Sequence, residues 1–299
     1  MNILIAPSTF GVHDDKPIRI LEERGFNIIK NPYGRKITKE ELKPILKNIY
    51  YVIAGLEEYD DEIISNSNLK LLSRCGSGID NINLEAVKKH GVKIFNTPRG
   101  PTQSVAELTI GCMISLVRNL TEMDSNMHCR KWKKMNGFLI KEKQILIIGY
   151  GAIGKRVAEI LSFIGAEILV YDPFVNKNEI NPNYTKVDLN EGLKNANIIS
   201  LHCSGNSEII GEKQFEIMKK GIFILNSARG GIVNEKALEI NLQNKKVRGA
   251  WLDTFINEPY NGNLKNFKQV ILTPHIGSYT IEGRKKMEID SVNNIINNL

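Results

Sequence analysis

The stretch Gly149-Tyr150-Gly151-Ala152-Ile153-Gly154 decides the fold, because it carries three glycines at GxGxxG spacing in the middle of a 299-residue chain. The apolar run Gln144–Ile148 before it is typical of a buried strand, and residues 155–164 after it have helical periodicity. A second apolar run, 168–171, ends at Asp172. A bare GxGxxG also occurs in ordinary glycine-rich turns. The strand, helix and acid around this one favour the βαβ unit of a dinucleotide-binding fold.

The residue types in this unit each have a separate task in binding a dinucleotide. The first glycine makes a tight turn, the second lets the backbone approach a pyrophosphate, and the third allows the helix to pack closely on the strand. The helix N-terminus supplies free N–H groups for the phosphates, and Asp172 accepts hydrogen bonds from the adenosine ribose. Because Asp172 also repels a 2′-phosphate, the pattern predicts NAD in preference to NADP. The predicted cofactor-binding residues here are Gly149, Gly151, Ala152, Ile153, Gly154 and Asp172.

The composition is that of an ordinary globular protein. Hydrophobic residues make up 42% and charged residues 24% of the chain. The length predicts about two domains. A net charge of +7 is compatible with nucleic-acid binding. The basic residues are scattered among acids, however, with only short clusters such as 130–134 and 285–286. We interpret these clusters as solvated helix faces rather than a nucleic-acid patch, and we expect no nucleic-acid partner. The basic balance instead helps to attract an anionic substrate and cofactor.

The cysteines and the N-terminus limit the cellular setting. Cys75, Cys112, Cys129 and Cys203 stand far apart, with no CxxC pair and no histidine at metal-ligand spacing. Neither a metal site nor a disulfide framework is therefore predicted. The N-terminal run 1–7 is too short for a signal peptide, and no stretch approaches the roughly 18 apolar residues of a membrane span. These features predict a cytoplasmic protein without a membrane partner.

Short apolar runs alternate with helical patterns before the fingerprint. Such alternation predicts a parallel sheet covered by helices on both faces. Loops at 7–9, 55–56 and 76–78 follow predicted strands, which places them at the carboxyl ends where such sheets bind ligands. The predicted strands are 3–5, 26–30, 51–54, 69–75 and 92–95, and the predicted helices are 18–25, 38–48, 60–65 and 84–90.

The alternation resumes beyond the fingerprint, so the chain is predicted to be α/β with two doubly wound parallel-sheet domains. Between the halves, residues 104–127 form a long, mostly apolar helical stretch that starts after the breakers Pro98 and Pro101. The later predicted strands are 198–202, 222–226, 247–252 and 270–272, with helices at 212–219 and 235–243 and a final helical segment at 280–299.

Three motifs follow the fingerprint in a fixed order. They are Asn226-Ser227-Ala228-Arg229-Gly230-Gly231, Leu252-Asp253-Thr254-Phe255-Ile256-Asn257-Glu258-Pro259, and Thr273-Pro274-His275-Ile276-Gly277-Ser278. With the fingerprint, they resemble the D-isomer-specific 2-hydroxyacid dehydrogenase family, and the resemblance runs over essentially the whole chain. This family uses NAD to interconvert 2-hydroxy and 2-oxo acids.

The resemblance also implies the domain organisation. A flavodoxin-like substrate domain, residues 1–98 and 277–299, would carry an inserted Rossmann NAD domain, residues 99–276. The family further implies a homodimer through the region 104–127, although periodicity alone does not separate an interface from a buried helix.

Matching the family's motifs assigns Arg229, Glu258 and His275 as the catalytic set. Reduction of a 2-oxo acid needs a proton for the carbonyl oxygen as hydride arrives, and a histidine donates one near neutral pH. A glutamate beside the imidazole favours the charged ring and fixes its orientation. An arginine offers a planar, permanently charged fork to the substrate carboxylate and carbonyl oxygen. Each residue alone also has a structural explanation, but all three follow predicted strands of one sheet and so converge on its carboxyl edge.

The stretch Arg74-Cys75-Gly76-Ser77-Gly78-Ile79-Asp80-Asn81 resembles the family's substrate loop. Small residues let successive backbone N–H groups face a carboxylate as an anion nest. The alternative is a strand-to-helix turn capped by Asp80. The predicted substrate-binding residues are Arg74, Gly76, Ser77 and Gly78.

The resemblance implies further cofactor contacts outside the fingerprint. Asp253 would hold the nicotinamide carboxamide, Val105 and Ala106 would line the ring pocket, and His202 would lie near the adenosine. The chain departs from the family at Ser204-Gly205-Asn206, where relatives usually have a proline, so the adenine pocket is expected to differ in detail. The remaining predicted cofactor-binding residues are Val105, His202, Ala228, Asp253 and Gly277.

Within the family, the opening 5–11 together with 31–35 looks most like short phosphoglycerate dehydrogenases without a regulatory domain. Arg35, Arg74 and Arg99 are candidates for phosphate contacts, and surface charge explains each of them equally well. The segment 96–103 departs from the commoner glycine-led form and leaves the role of Arg99 open. The expected reaction interconverts a small anionic D-2-hydroxy acid and its 2-oxo acid. Because the chain ends at Leu299, feedback control through an appended domain is not expected.

Other functions on the same fold stay open. Transcriptional corepressors share this fold and use NAD to control assembly, which would make the chain an NAD-binding interaction protein. Enzymatic alternatives are glyoxylate/hydroxypyruvate, phosphonate and formate dehydrogenases, although formate oxidation usually comes with a longer chain and with Asn and Gln landmarks that this sequence lacks. The full catalytic set favours turnover over a binding role.

Overall fold

The computed structural model describes residues 1–205 and 207–299. Asn206, which belongs to the departure from the family pattern at 204–206, lies outside the described residues. The chain divides into two compact units: unit 1 is Met1–Thr102 with Ser278–Leu299, and unit 2 is Gln103–Gly277. Each unit is built on its own parallel sheet, so the predicted fold class of two parallel-sheet α/β domains is confirmed.

Unit 1 contains a five-stranded parallel sheet in the order β2-β1-β3-β4-β5, which is the flavodoxin-like order. The strands predicted from the apolar runs are all present. They are β1 Asn2–Ile5, β2 Asn27–Lys30, β3 Tyr51–Ala54, β4 Leu71–Arg74 and β5 Lys93–Asn96. The helices are α1 Lys16–Glu23, α2 Lys39–Leu46, α3 Asp61–Ser65, α4 Leu84–Lys89 and, from the C-terminus, α11 Ile281–Ile296.

The central strands of unit 1 are apolar on both faces because both faces of the sheet carry an apolar cluster. Leu4 and Val52 belong to one cluster, whereas their neighbours Ile3 and Ile53 belong to the other. All four residues of β3 are buried, as expected for a strand covered on both sides. Val292 of α11 is fully buried in the second cluster, so the end of the chain supplies part of this core.

A buried ion pair fixes α11 to the start of the chain. The Glu288 carboxylate is 1% exposed and accepts hydrogen bonds from Arg284 Nη2 and from the Gly11 N–H, each at 3.0 Å. The same guanidinium donates to the Thr9 hydroxyl at 3.0 Å. Since an unpaired buried charge is strongly unfavourable, these contacts tie the loop after β1 to a helix from the other end of the sequence.

Unit 2 contains a seven-stranded parallel sheet in the order β12-β11-β10-β9-β6-β7-β8. The strands are β6 Gln144–Ile148, β7 Glu167–Tyr171, β8 Thr185–Lys186, β9 Ile198–Leu201, β10 Ile222–Asn226, β11 Val247–Leu252 and β12 Val270–Leu272. The helices are α5 Thr102–Val117, α6 Leu120–His128, α7 Ala152–Phe163, α8 Leu189–Asn195, α9 Glu212–Ile217 and α10 Glu235–Gln243.

The strand order of unit 2 is the Rossmann order with one strand added beyond β11. Counted from β6, the strands run 3-2-1-4-5-6 and then β12. The order reverses between β6 and β9, and the glycine fingerprint follows β6 at this switch point. Ligands of open α/β sheets bind at such a point, outside the carboxyl ends of the strands.

The predicted long helix at 104–127 is wrong in one respect, because the structure breaks it into α5 and α6. Asn119 has a φ of 54°, in the left-handed region, and its N–H donates to the Leu116 carbonyl. Asparagine is one of the few residues that adopts this conformation readily, so it ends α5. No helix in the described part of the chain combines the length and apolar character needed to cross a bilayer.

Candidate active site

Three neighbouring strands of unit 2 end side by side. The register pairs the last residues of β10, β11 and β12 with one another. The loops that leave these ends carry Arg229, Glu258 and His275 in turn. Because parallel strands present their carboxyl ends at the same edge, residues far apart in the sequence are brought to one edge of this sheet.

His275 and Glu258 form a hydrogen-bonded pair. His275 Nδ1 lies 2.9 Å from Glu258 Oε2, and the two side chains are 41% and 36% exposed. An ionised carboxylate only accepts hydrogen bonds, so Nδ1 is the donor. The pair therefore occupies Nδ1 and leaves Nε2 as the ring nitrogen that does not bind Glu258.

The surroundings of Glu258 favour its ionised form. Burial raises the pKa of Glu258, but the hydrogen bond and charge of His275, the Phe255 N–H and the charge of Arg229 together lower it below its usual range. The Phe255 N–H donates to Oε1 at 3.1 Å, which leaves Oε2 for the imidazole. A carboxylate held in this way stabilises a positively charged ring beside it.

The loop that carries Arg229 is clipped by Asn226 at the end of β10. The Asn226 side chain accepts from the Ala228 N–H at 3.0 Å and donates to the Arg229 carbonyl at 2.9 Å. The Arg229 Nη1 donates to the Ala228 carbonyl at 2.7 Å. Both ends of the short turn are therefore fixed. The positive charge of Arg229 lowers the pKa of Glu258.

Gly230 brings this loop close to the one that carries Glu258. A Cβ atom at Gly230 would lie 2.0 Å from the backbone carbon and oxygen of Phe255 and 2.5 Å from the Ile256 nitrogen. No side chain fits at these distances, so only glycine allows the two loops to approach in this way. Gly230 was not singled out from the sequence, and its place next to Arg229 in the motif is the only signal there.

The backbone at His275 is strained. Its φ is 53°, which is uncommon for a residue with a side chain. The His275 N–H donates to the Thr273 carbonyl at 2.9 Å. The two following N–H groups, of Ile276 and Gly277, donate to the Asp253 carboxylate at 2.9 and 2.8 Å. Asp253 therefore holds the chain immediately after His275.

The glycine fingerprint has the geometry that a dinucleotide needs. Cβ atoms at Gly149 and Gly154 would collide with backbone, the first at 2.6 Å from Cys203 and the second at 2.0 Å from the Gly149 carbonyl oxygen. A Cβ atom at Gly151 would meet nothing within 4 Å. Gly151 is also the N-cap of α7, and no side chain caps this helix. The open backbone and uncapped N–H groups fit a pyrophosphate, with Ala152 and Ile153 in the first turn.

Asp172 and His202 flank the fingerprint. Asp172 Oδ2 accepts from the Tyr150 N–H at 2.8 Å, and Oδ1 accepts from the Phe174 N–H at 2.9 Å, which orients the carboxylate at the end of β7. His202 Nε2 lies 2.8 Å from the Ser200 hydroxyl and Nδ1 lies 3.1 Å from the Ser227 hydroxyl. Burial lowers the pKa of His202 to about 3, so its ring is neutral at physiological pH.

Three of the remaining predicted cofactor residues, Val105, Asp253 and Gly277, lie near one another. A Cβ atom at Gly277 would lie 3.0 Å from Asp253 Oδ2 and 3.2 Å from the Val105 side chain, so these three residues are neighbours. Val105 and Ala106 are buried in α5, and Ala228 is 5% exposed. The structure thus brings Val105, Asp253 and Gly277 together, while their role as cofactor contacts stays a prediction.

The predicted substrate loop lies in unit 1, after β4. The Gly76 N–H points into the protein and donates to the Thr97 hydroxyl at 2.8 Å, whereas the N–H groups of Ser77 and Gly78 have no hydrogen bond among the described residues. A Cβ atom at Gly76 would lie 2.6 Å from Nη1 of Arg74, so the guanidinium packs directly on this glycine. Only Ser77 and Gly78 are therefore available as N–H donors of an anion nest.

The other two candidate phosphate contacts differ from each other. Arg35 forms a bidentate pair with Glu41, at 2.9 and 2.6 Å, and its guanidinium also lies over the Tyr33 ring. Its charge is therefore compensated within unit 1. Arg99 is exposed and makes no hydrogen bond or ion pair within the described ranges.

Sequence reasoning missed the residues that support the site. Asn226, Ser200, Ser227 and Thr97 each hold a predicted site residue or its loop through a side-chain hydrogen bond. Their small polar side chains stand at or next to the ends of strands, which is the only signal that the sequence carries for them.

The comparison with protein families identifies the chain. Residues 110–277 match the family model described as D-isomer specific 2-hydroxyacid dehydrogenase, NAD binding domain. The match covers more than half of the chain, so this protein belongs to the D-isomer specific 2-hydroxyacid dehydrogenase family. The family predicted from the motifs is confirmed, and so is NAD as the cofactor of the family's domain.

Individual relatives agree with this assignment. The chain is 36% identical to D-3-phosphoglycerate dehydrogenase from Methanocaldococcus jannaschii over 92% of its own length and 53% of that protein, so it spans about half the length of this relative. It is 31% identical to hydroxypyruvate reductase from Thermotoga maritima over 97% of this chain and 98% of that one. A solved glyoxylate reductase from Paecilomyes thermophila is 27% identical, with a TM-score of 0.90 over 99% of this chain and 94% of that chain.

The Glu258–His275 pair predicts a titration behaviour that does not depend on turnover. In His275→Ala, the hydrogen bond and charge that lower the pKa of Glu258 are lost while its burial remains, so this pKa should rise. NMR titration of the Glu258 carboxyl carbon measures the change. The matched control is His90→Ala, which breaks the His90–Asp61 contact of 3.2 Å in unit 1 and should leave Glu258 unchanged. An equal pKa of Glu258 in the wild type and His275→Ala would contradict the pairing.

Proposed function

We propose that this protein is an NAD-dependent oxidoreductase that interconverts a small D-2-hydroxy acid and its 2-oxo acid. The hydrogen-bonded pair of Glu258 and His275 carries the proposal, because it leaves a ring nitrogen ready for proton transfer. Arg229 acts electrostatically on the same carboxylate, and the dinucleotide fingerprint belongs to the same unit. Membership of the family supports the assignment.

The protein's own residues supply the acid and the charge that the reaction needs. Bound NADH supplies the hydride. His275 donates the proton from Nε2 to the carbonyl oxygen of the 2-oxo acid, and in the reverse direction it removes the hydroxyl proton. Glu258 stabilises the protonated ring through Nδ1. Arg229 binds the substrate carboxylate and polarises the carbonyl with its guanidinium fork.

The cofactor contacts are assigned on the same basis. The open backbone at Gly151 and the uncapped start of α7 support pyrophosphate binding, and the orientation of Asp172 supports ribose binding. The neighbouring positions of Val105, Asp253 and Gly277 support a role on the nicotinamide side. The proposed cofactor-binding set is Val105, Gly149, Gly151, Ala152, Ile153, Gly154, Asp172, His202, Ala228, Asp253 and Gly277.

The two sheets receive separate roles in this proposal. Residues 99–276 form the NAD-binding domain, and residues 1–98 with 277–299 form the substrate domain. The fingerprint at the switch point of the seven-stranded sheet supports the first assignment. The free N–H groups of Ser77 and Gly78 support the second, with Arg74 and Gly76 shaping the same loop.

The substrate proposed first is 3-phosphoglycerate, because several relatives are named D-3-phosphoglycerate dehydrogenase. Arg99 supports a phosphate, because it is exposed and has no carboxylate partner among the residues that the structure describes, whereas Arg35 is already paired with Glu41. Hydroxypyruvate is the second candidate, because the relative of that activity matches over 98% of its length.

The proposed acid makes a direct prediction for His275→Ala. Turnover should fall by about 100- to 10,000-fold, the usual contribution of a general acid, while the Kd for NADH stays within about 2-fold. NADH absorbance is followed during the oxidation of 3-phosphoglycerate by NAD and during the reduction of hydroxypyruvate, glyoxylate and pyruvate by NADH. NADH fluorescence reports binding. His90→Ala is the matched control.

The outcomes separate the alternatives. Substantial turnover in His275→Ala would remove this residue as the acid. NADH binding by the wild-type protein without turnover of any acid in the panel would support an NAD-binding interaction protein of the corepressor type instead.

We propose that the protein is a homodimer through the region 104–127. Large apolar side chains are exposed along α5 and α6, with Ile114 at 37%, Leu120 at 45% and Met127 at 52%. Exposed large apolar side chains in one stretch of a chain are typical of a surface that another protein covers. The family resemblance supports a second copy of this chain as that protein.

Sedimentation velocity tests the homodimer. The wild type should sediment as a dimer at micromolar concentration, and Leu120→Asp with Met127→Asp should shift it to a monomer, because buried charges at an interface are unfavourable. Phe163→Asp is the matched control, since Phe163 is 95% exposed elsewhere in unit 2. A monomeric wild type would refute the proposal.

We propose a cytoplasmic location. All four cysteines are free thiols, and Cys75 and Cys112 are buried, as expected in a reducing compartment. Cell fractionation with an antibody against the protein should recover it with the cytoplasmic fraction. Recovery with membranes or in the medium would refute the proposal.

A further inference from the structure

A series of hydrogen bonds runs from the core of unit 2 to the backbone that follows His275. Trp251, which is fully buried in β11, donates from Nε1 to the Thr273 hydroxyl at 2.9 Å. The Thr273 Oγ1 lies 2.5 Å from Asp253 Oδ1. The Asp253 carboxylate then accepts the N–H groups of Ile276 and Gly277.

The donor and the acceptor of each hydrogen bond in this series follow from the chemical groups involved. An indole N–H only donates, so the oxygen of Thr273 accepts it. A hydroxyl has one proton, and the carboxylate beside it is an acceptor, so Thr273 donates to Asp253. Trp251 therefore orients the Thr273 hydroxyl, and Thr273 orients the Asp253 carboxylate, which is 1% exposed.

We propose that Thr273, oriented by Trp251, is a positioning residue for His275 and acts through the Asp253 carboxylate. This inference rests on the proposed function, because it concerns the acid of that reaction. Thr273 does not touch the imidazole. Its hydroxyl fixes the carboxylate that holds the two N–H groups immediately after His275.

The strained backbone explains why this support is needed. A residue with a side chain at a φ of 53° relaxes unless its surroundings hold it. Asp253 fixes the chain on the C-terminal side of His275, and the Thr273 carbonyl fixes the His275 N–H. A rotated carboxylate would release this turn and move the imidazole relative to Glu258. Small displacements of a catalytic group of this kind lower the rate strongly.

The test compares Thr273→Val with Thr273→Ser. Valine has the shape of threonine but no hydroxyl, so kcat should fall by about 10- to 100-fold, while the Kd for NADH changes by less than about 2-fold. Serine keeps the hydroxyl and should restore kcat to within about 3-fold of the wild type. Trp251→Phe removes the first hydrogen bond and also some core volume. The part of its effect on kcat that comes from the hydrogen bond should be absent when Thr273 is already valine, because both changes act on one network.

Two controls separate positioning from general destabilisation. Thr254→Val makes the same chemical change next to Asp253 at a buried hydroxyl with no hydrogen-bond partner among the described residues, and kcat should stay within about 2-fold. Thermal unfolding is measured for every variant, and Thr273→Ser keeps the comparison valid if Thr273→Val does not fold.

Hydrogen exchange gives a readout that needs no turnover. In Thr273→Val the N–H groups of Ile276 and Gly277 should exchange faster than in the wild type, while those within β11 and β12 keep their protection. If the wild type turns over no acid in the panel, the proposed function fails, and exchange still shows whether Thr273 fixes the turn.

Three results would overturn the proposal. One is a kcat of Thr273→Val within about 3-fold of the wild type with unchanged exchange at Ile276 and Gly277. Another is a loss of NADH affinity that accounts for the whole effect, which would mean that Asp253 serves only the cofactor. The third is an equal loss in Thr273→Ser, which would show that the hydroxyl is not responsible.

Discussion

Parallel pairing of β10, β11 and β12 is the constraint on which the site depends. Because these strands run in the same direction and end in register, the three loops that follow them leave from one edge of the sheet. This edge therefore carries Arg229, Glu258 and His275, although they are far apart in the sequence. Gly230 completes the arrangement, since a side chain there would separate the loop of Arg229 from that of Glu258.

Burial and charge give two histidines of unit 2, His202 and His275, different surroundings. His202 is held by two serine hydroxyls, and burial lowers its pKa to about 3, so it stays neutral. His275 is partly exposed and paired with Glu258, whose own pKa is lowered by the pair. Only the second arrangement places a carboxylate beside the ring, where it stabilises a positive charge.

The sequence predicted the strands and most helices correctly, but it predicted few of the side-chain hydrogen bonds. Apolar runs located the strands because both faces of each sheet are covered, and the fingerprint lies between β6 and α7, in the βαβ unit predicted for it. The helix break at Asn119 was missed, since a left-handed residue leaves apolar periodicity almost undisturbed. The inward N–H of Gly76 and the Arg35–Glu41 pair were also missed, because both depend on partners that only folding brings near.

By itself the sequence determined the α/β class, the dinucleotide fingerprint and the family, because glycine spacing and strand periodicity are local properties of the chain. The tertiary structure alone decided which side chains hold the site residues in place. Trp251, Thr273 and Asp253 form one hydrogen-bonded chain, although 22 residues separate the first two. Their connection arises from the pairing of β11 with β12, and no local pattern encodes it. The fingerprint thus identified what the chain binds, and packing decided how the turn at His275 is held.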